Sequence, residues 1–298
     1  MALKIYNSHT NNYETEEVPG ELFLKFLYSN AVGKLVLWAL IKRKIFSKIF
    51  GVWANSKISK NAGPKFAKAH SINLDDCPKK KFANFNDFFA RELLPEARAP
   101  KGGEDCAFFP ADSRNLAVQN IGENYSFYAK GQKLDIAQLL GCAECAKLFT
   151  GGSILISRLS PVDYHRFHYP ISGTIEARKR IKGHLNSVSP IALCKGLKYL
   201  LQNERVVNIL RHKSGAYCAV VQIGATNVGS IVNFDKISAN VKAAAQMGKF
   251  LFGGSCVVCV FQKDFVEFAP KLLECSAENI EYYAHVGDVC GKIVAGKQ

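Results

Sequence analysis

The sequence predicts an α+β protein in which N-terminal amphipathic helices pack on a β-rich catalytic core. Before residue 55 apolar residues recur at helical spacing, and beyond residue 100 the chain changes to short β-branched runs separated by turn residues. The 298 residues are enough for one large domain or two modest ones, and the hydrophobic fraction of 48% is ordinary for a globular protein. We expect an N-terminal helical, basic region at 1–72 and a β-rich core at 73–298.

The N-terminal region is predicted to be helical from Glu21 to about Asn55, because six apolar residues recur there at three- and four-residue steps. They are Leu35, Trp38, Ile41, Ile45, Ile49 and Val52. The formal net charge is +14, and residues 22–74 hold ten Lys or Arg residues but no Asp or Glu. This pattern fits a helix that binds an anionic bilayer surface. It fits equally well a helix that packs on the protein's own core. Nucleic acid is not expected as a partner, because no recognition motif accompanies the charge.

Targeting signals and disulfides are not expected. The first twenty residues lack the apolar stretch of a signal peptide, and the uncharged run Leu35–Ile41 is too short to cross a bilayer. We therefore expect a cytoplasmic protein without a transmembrane helix. The ten cysteines lack regular spacing, which favours reduced thiols. A zinc site made of Cys142-x-x-Cys145 and Cys256-x-x-Cys259 is disfavoured, because the second pair lies in a predicted strand, where residues three apart face opposite sides.

Beyond the basic region the pattern predicts short elements. A capped helix is expected within Asn84–Leu93 and another helix over Asp135–Leu140. Strands are expected around Ile154–Leu159, Gly173–Arg178, Tyr217–Ile223, Ser255–Phe261 and Phe265–Phe268.

One stretch combines a strand with chemistry. Gly253 and Gly254 lead into Ser255, which opens an apolar, β-branched run and should therefore lie at a turn-to-strand junction. A serine hydroxyl can attack the preceding carbonyl and convert the amide into an ester, provided that a base takes its proton. The same residues also fit a simple glycine turn before a core strand.

Three further residues supply the missing groups. Asp112 follows the apolar pair Phe108-Phe109, and His165 and His168 lie three residues apart in an aromatic and charged cluster. A neutral imidazole can accept the serine proton, and a carboxylate can fix its tautomer. Taken singly, the aspartate fits a turn and the histidines fit buried, hydrogen-bonded imidazoles.

Several motifs together make the pattern specific. They are Phe85-Asn86-Asp87-Phe88-Phe89-x-Arg91, Pro110-Ala111-Asp112, Asp163-Tyr164-His165-Arg166-Phe167-His168, Gly183-His184-Leu185-x-Ser187-Val188, Gly224-Ala225-Thr226-x-Val228-Gly229-Ser230-Ile231 and Phe252-Gly253-Gly254-Ser255. With them the chain resembles the phosphatidylserine decarboxylases, pyruvoyl-dependent carboxy-lyases that make phosphatidylethanolamine. The likeness extends from the N-terminal region to the C-terminus.

The resemblance implies a proenzyme that cleaves itself between Gly254 and Ser255. Asp112, His168 and Ser255 match the family's charge-relay positions. His168 would therefore deprotonate Ser255, and Asp112 would orient His168. The products would be a β chain, 1–254, and an α chain, 255–298, with a covalent pyruvoyl group made from Ser255. That group would form a Schiff base with phosphatidylserine and release carbon dioxide, with His165 as the candidate proton donor.

The resemblance also implies partners. Phosphatidylserine stays in the membrane, so we expect peripheral association with an anionic membrane surface through Leu22–Val52, on the cytoplasmic side of the cell membrane. The β and α chains would remain partners, and a homodimer is left open. Cys256 stands where the family usually has Thr or Ser, which suggests slower processing because a thiol is a poorer hydrogen-bond partner.

Three other interpretations fit some of these residues. One is an uncleaved hydrolase that uses Ser255, His168 and Asp112 on an external ester. Another is a non-catalytic, basic membrane-binding protein with the same fold. In the third, Cys256 attacks the carbonyl of Ser255 and the cut moves by one residue.

Overall fold

The fold is seen in a computed structural model that describes residues 3–16, 44–122, 126–129, 132–184, 186, 198–225, 231–251 and 255–294. Most of the predicted N-terminal helix, residues 21–43, lies outside the described residues, and so do Gly253 and Gly254. The described part is mixed α+β and mostly β, which confirms the predicted fold class at that level.

Most of the described chain forms strands. They are β1 (Leu3–Asn7), β2 (Asn12–Glu16), β3 (Cys106–Phe108), β4 (Ser113–Val118), β5 (Ser126–Ala129), β6 (Gln132–Asp135), β7 (Ser153–Leu159), β8 (Arg166–His168), β9 (Gly173–Ile181), β10 (Arg205–Arg211), β11 (Tyr217–Gly224), β12 (Ile231–Asn233), β13 (Asn240–Val241), β14 (Gln246–Phe250), β15 (Ser255–Phe261), β16 (Val266–Phe268), β17 (Glu281–Ala284) and β18 (Val289–Ile293). The five strands predicted from the sequence are confirmed.

The helices are short. They are α1 (Lys44–Asn55), α2 (Ala62–Ala69), α3 (Phe85–Phe89), α4 (Ile136–Leu140), α5 (Ala143–Lys147), α6 (Lys198–Gln202) and α7 (Pro270–Ala277), with 3₁₀ turns at Lys57–Asn61 and Pro95–Arg98. The two predicted short helices are confirmed as α3 and α4. The side chains of Asn84 and Asp135 accept hydrogen bonds from the amides of Asp87 and Gln138, so each of the two helices begins with an N-cap.

A ten-stranded sheet organises the molecule. Its strand order is β13-β9-β10-β11-β15-β7-β4-β17-β1-β2, and β15 lies near its middle, antiparallel to both β11 and β7. Two three-stranded sheets accompany it, in the orders β12-β14-β8 and β16-β18-β3. The β8 sheet carries the histidine motif, since β8 is the strand Arg166–His168.

Strand β15 is buried on both sides, which explains its continuous apolar sequence. Val257, Cys259 and Phe261 belong to one core cluster. Cys256 and Val258 belong to another, on the opposite face. Full burial of one such valine or phenylalanine contributes about 1.5–3 kcal/mol. The prediction that Cys256 and Cys259 face opposite sides is confirmed.

The helical residues form a cluster of their own. Phe85, Phe88 and Phe89 of α3 pack with Ala54 of α1 and Ala67 of α2. The helical packing therefore continues past residue 72, where we drew the boundary between the two regions. In addition, β1 and β2 lie at one edge of the large sheet, so the first sixteen residues contribute strands to the core.

Cysteine usage differs from the expectation at one pair. Cys142 and Cys145 form a disulfide, so the prediction of reduced thiols is wrong there. Their Cα atoms lie 5.3 Å apart, within the range that a disulfide spans. No helix among the described residues is long and apolar enough to cross a membrane.

Candidate active site

Ser255 is held at the centre of the large sheet. It is the first residue of β15, and it pairs with Gly224 of β11 on one side and Leu159 of β7 on the other. Its side chain is completely buried. The turn-to-strand position predicted for Ser255 agrees with this placement, although the preceding residues 252–254 lie outside the described residues.

His165 is the histidine beside this serine. Its Nδ1 lies 3.2 Å from the Ser255 Oγ, and its Nε2 lies 2.9 Å from the backbone oxygen of Ser160. Because a carbonyl oxygen only accepts, Nε2 must carry the ring hydrogen and Nδ1 must have a free lone pair. The Ser255 hydroxyl can therefore donate to Nδ1. This tautomer is the one a general base requires.

Burial keeps His165 neutral. Burial lowers the pKa of His165 to about 3, since the ring is removed from water and the charges of Arg91 and Arg114 oppose protonation. The ring of Phe89 stacks on the imidazole, with the ring centroids 3.8 Å apart. A neutral imidazole fixed in this way can accept a proton at any physiological pH.

The turn before His165 fixes its partner atoms. The backbone amide of Asp163 donates to the oxygen of Ser160 at 3.0 Å, and the Asp163 carboxylate accepts from the Ser160 amide at 2.6 Å. The same carboxylate forms an ion pair with Arg114. Burial raises the pKa of Asp163, and the charge of Arg114 opposes that rise. Asp163 thus locks the carbonyl that sets the tautomer of His165.

A buried ionic network lies behind this turn. Arg114 also contacts Glu16 at 2.8 Å, and Arg158 contacts Glu16 at 2.6 Å and Glu281 at 2.5 Å. The network joins β2, β4, β7 and β17, which are far apart in sequence. The sequence analysis missed these residues and Asp163, and the only available signal was that Asp163 belongs to the same motif as the histidines.

Asp112 is tied to an arginine. Its carboxylate accepts three hydrogen bonds from Arg98 at 2.7–3.0 Å and one from the backbone amide of Val286 at 2.9 Å. Burial opposes ionisation, but the bonds and charge of Arg98 outweigh it, so the pKa of Asp112 lies below its usual value. Asp112 is therefore an ionised carboxylate with a committed partner.

His168 occupies a different environment from His165. Its Nδ1 lies 2.8 Å from the backbone oxygen of Ala244, so Nδ1 carries the hydrogen. Its Nε2 is buried and has no hydrogen-bond partner among the described residues. Burial lowers the pKa of His168. Within the described chain no hydrogen bond joins His168 to Ser255 or to Asp112, so the structure brings Ser255 to His165 instead.

No group of three or more His, Cys, Asp or Glu side chains among the described residues is arranged to hold a metal ion.

Burial raises the pKa of the Cys256 thiol to about 12. A thiol in that state is a poor nucleophile near neutral pH, which weighs against attack by Cys256.

Comparisons with known proteins agree on one family. The family model for phosphatidylserine decarboxylase matches residues 85–279. A relative from Ruminiclostridium cellulolyticum is 35% identical and covers 98% of both chains, and one from Fusobacterium nucleatum is 38% identical over 95% of both. A third, from Chlamydia trachomatis, is 34% identical over 96% of both chains. Each of the three is named phosphatidylserine decarboxylase proenzyme.

Proposed function

The chain belongs to the phosphatidylserine decarboxylase family, and from that premise we propose that it cleaves itself before Ser255 and then decarboxylates phosphatidylserine. It is a decarboxylase proenzyme, a carboxy-lyase whose product is phosphatidylethanolamine. The observation that supports the self-cleavage best is the 3.2 Å contact between the Ser255 hydroxyl and the free nitrogen of neutral His165.

The first step is attack within the backbone. His165 takes the proton from the Ser255 hydroxyl at Nδ1, and the oxygen adds to the carbonyl carbon of Gly254. The carbon–nitrogen bond then breaks, the proton passes to the departing nitrogen, and an ester replaces the amide. Ser255 pairs with both neighbouring strands, which limits the motion of its backbone. A restricted backbone favours attack by the hydroxyl on the adjacent carbonyl.

The second step releases the two chains. Loss of the proton on the Ser255 Cα and of the Gly254 carboxylate from the Cβ leaves dehydroalanine at the new N-terminus. Addition of water to the dehydroalanine expels ammonia and leaves a pyruvoyl group. Overall one water is consumed and one ammonia is released, and the products are the β chain, 1–254, and the α chain, 255–298.

The surroundings of Ser255 fit a pyruvoyl group. The group is small and uncharged, and it replaces a fully buried side chain at the start of a strand. Its ketone supplies a carbonyl that binds the substrate amine and accepts the electrons left by carbon dioxide. The Nδ1 of His165 faces the atoms from which the group is made, so it can take the proton that the substrate ammonium loses when the amine binds the ketone and return that proton to the product.

The resemblance offers a second assignment of the base. It places His168 with Asp112 in the relay, and one observation favours a role for His168 in proton transfer: its Nε2 is buried with a free lone pair. For His168 to act on Ser255, the ring would have to move from its place beside Ala244. The contact as it stands favours His165, and substitution separates the two assignments.

The membrane surface is the second partner that we propose. Three apolar side chains stand exposed on α1 and the following 3₁₀ turn: Ile49, Val52 and Ile58, exposed by 65%, 72% and 86%. Lys57 and Lys60 flank them, within the stretch that lacks acidic residues. Together with the predicted amphipathic helix over Leu22–Val52, they suit peripheral binding to an anionic membrane, on the cytoplasmic side.

Vesicle binding tests that surface. We expect the protein to sediment with vesicles of phosphatidylserine and phosphatidylcholine more than with phosphatidylcholine alone, and Ile58→Glu to reduce the bound fraction. Ile237 is 51% exposed on another part of the chain, so Ile237→Glu is the matched control. Equal loss of binding in both variants would contradict the proposed surface.

Two assays test the function itself. Under denaturing and reducing conditions we expect two fragments, the smaller one blocked to N-terminal sequencing. The protein should also release labelled carbon dioxide from phosphatidylserine labelled in its headgroup carboxyl. A single full-length chain would favour the uncleaved hydrolase, and two fragments without carbon dioxide release would contradict the decarboxylation.

A further inference from the structure

The disulfide of Cys142 and Cys145 lies at the corner between α4 and α5, and the proposed function does not use it. Both helices pack on the core cluster that also holds Cys256 and Val258 of β15. Side chains alternate along a strand, so the Ser255 side chain belongs to the other face of the large sheet. The disulfide therefore lies on the face of the sheet away from the candidate nucleophile.

This pair differs from the other cysteines. Cys142 and Cys145 are both partly exposed. The seven other cysteines that the structure describes have free thiols, and six of these are buried. A chain with so many free thiols suits a reducing compartment, where the disulfides that do form are mostly transient or redox-sensing. The two bonded cysteines are only three residues apart, so their disulfide constrains the unfolded chain much less than a long-range one does.

Backbone hydrogen bonds hold the two cysteines side by side. The amide of Cys142 donates to the oxygen of Ala137 at 3.2 Å, and the oxygen of Cys142 accepts from the amide of Ala146 at 3.2 Å. The oxygen of Cys145 accepts from the amide of Leu148 at 3.3 Å. None of these bonds involves a sulfur atom. The corner therefore keeps the two thiols adjacent after reduction, so that the disulfide can close again.

The two sulfur atoms have different surroundings. The Sγ of Cys142 accepts a hydrogen bond from the amide of Cys145 at 3.1 Å. A donor of this kind favours the negatively charged form of a sulfur, which is the nucleophilic form. Cys145 instead packs against the apolar core cluster under the two helices. Cys142 is therefore the better nucleophile of the pair.

The charges around the corner support the same assignment. The ammonium group of Lys179 donates to the backbone oxygen of Gly141 at 3.0 Å, directly before Cys142. Glu144 lies between the two cysteines, and its carboxylate is paired with Lys147 at 2.9 Å. A cation thus lies near Cys142, and the nearby anion is balanced by a cation of its own, which favours a thiolate at this position.

We infer that Cys142 and Cys145 form a reversible exchange site for small thiols and disulfides, with Cys142 as the nucleophile. In the reduced protein the Cys142 thiolate attacks one sulfur of a small disulfide such as oxidised glutathione, and the first glutathione leaves. Cys145 then attacks the Cys142 sulfur, the internal disulfide closes and the second glutathione leaves. Two electrons and the two thiol protons pass from the pair to two glutathione molecules. The reverse sequence reduces the pair.

Exchange in the folded protein tests the site. Purified protein is incubated with mixtures of reduced and oxidised glutathione, quenched with acid, unfolded and alkylated. Mass spectrometry then measures the tryptic peptide of residues 134–147, which contains both cysteines. We expect this peptide to change reversibly between disulfide and dithiol as the mixture changes, while circular dichroism shows a folded protein. A disulfide that is reduced only when the protein unfolds would overturn the inference, as would a dithiol that persists in excess oxidised glutathione.

Two matched variants test which thiol attacks. Cys145→Ser keeps the amide beside Cys142, and Cys142→Ser leaves Cys145 against the apolar cluster. We expect Cys142 in the first variant to form a mixed disulfide with oxidised glutathione at least about tenfold faster than Cys145 in the second.

The other cysteines provide the controls for this comparison. Cys106 is a partly exposed free thiol in both variants, so it serves as the internal reference for the rate. The six buried thiols should stay unmodified, which shows that both variants are folded. Equal rates at Cys142 and Cys145, or a faster reaction at Cys145, would overturn the assignment of Cys142 as the nucleophile.

Discussion

His165 and His168 belong to the same motif, yet they occupy two different regions of the site. His165 ends the turn from Ser160, and its free nitrogen faces Ser255. His168 ends β8, and its bonded nitrogen faces Ala244. Both imidazoles are buried and have a lowered pKa, so both are neutral bases.

The difference lies in what each lone pair faces. At His165 the carbonyl of Ser160 fixes the hydrogen on Nε2 and leaves Nδ1 for the serine. At His168 the carbonyl of Ala244 fixes the hydrogen on Nδ1 and leaves Nε2 without a partner in the part of the chain that the structure describes. A backbone carbonyl therefore decides the tautomer in each case, and only one of the two tautomers points a base at Ser255.

The largest effect expected is from the serine itself. Ser255→Ala should leave a single full-length chain without decarboxylase activity, because no hydroxyl remains to attack Gly254. Denaturing electrophoresis and carbon dioxide release measure the two outcomes. Cys256→Ser is the control and should still be cleaved. Cleavage of the Ser255→Ala protein would point to Cys256 as the nucleophile.

Replacing each histidine in turn by alanine tests most directly which of the two is the base. His165→Ala should slow cleavage roughly 100- to 10,000-fold, the usual contribution of a general base. His168→Ala removes a ring that forms no hydrogen bond with Ser255, so it should slow cleavage far less. Quenched time courses of freshly synthesised protein measure both rates. Slow cleavage in His168→Ala with normal cleavage in His165→Ala would establish the relay of His168 and Asp112 instead.

The stability of the protein should fall in acid because His165 is buried in its neutral form. The pKa of His165 is about 3 in the folded state and about 6.5 when unfolded, so only the unfolded state gains a proton in between. The free energy of unfolding should therefore decrease as pH falls below 6.5, by up to about 1.4 kcal/mol per pH unit for such a group. Urea unfolding of Ser255→Ala protein between pH 4.5 and 7.5 measures this. If the free energy of unfolding fell no more steeply in that protein than in its His165→Gln variant, the result would contradict a buried neutral His165.

The smallest effect is expected from pH on the cleavage rate. With a pKa of about 3, His165 is already unprotonated throughout the range from pH 5 to 8, so the rate should show no inflection near 6.5. Time courses of cleavage at constant ionic strength measure the profile. A rate that rises with a midpoint near 6.5 would indicate a solvated imidazole as the base.

The sequence predicted the strands and the position of Ser255 at the start of one of them, for a physical reason. Strand β15 is buried on both faces, so its β-branched run and the glycines before it are local signals. The hydrogen-bond partners of the two histidines could not be predicted from the local sequence. They are the backbone carbonyls of Ser160 and Ala244, and every residue type carries a backbone carbonyl. The network of Glu16, Arg114 and Glu281 was missed for a similar reason, since its members come together only in the folded sheet.

The central claim is that Ser255 becomes a new chain end without its nitrogen, and intact mass spectrometry of the purified wild-type protein tests it most directly. The account predicts a small chain with the mass of free residues 255–298 less one ammonia, beside a large chain ending at Gly254. An active protein with only the full-length mass, or a small chain that keeps its serine amine, would contradict it.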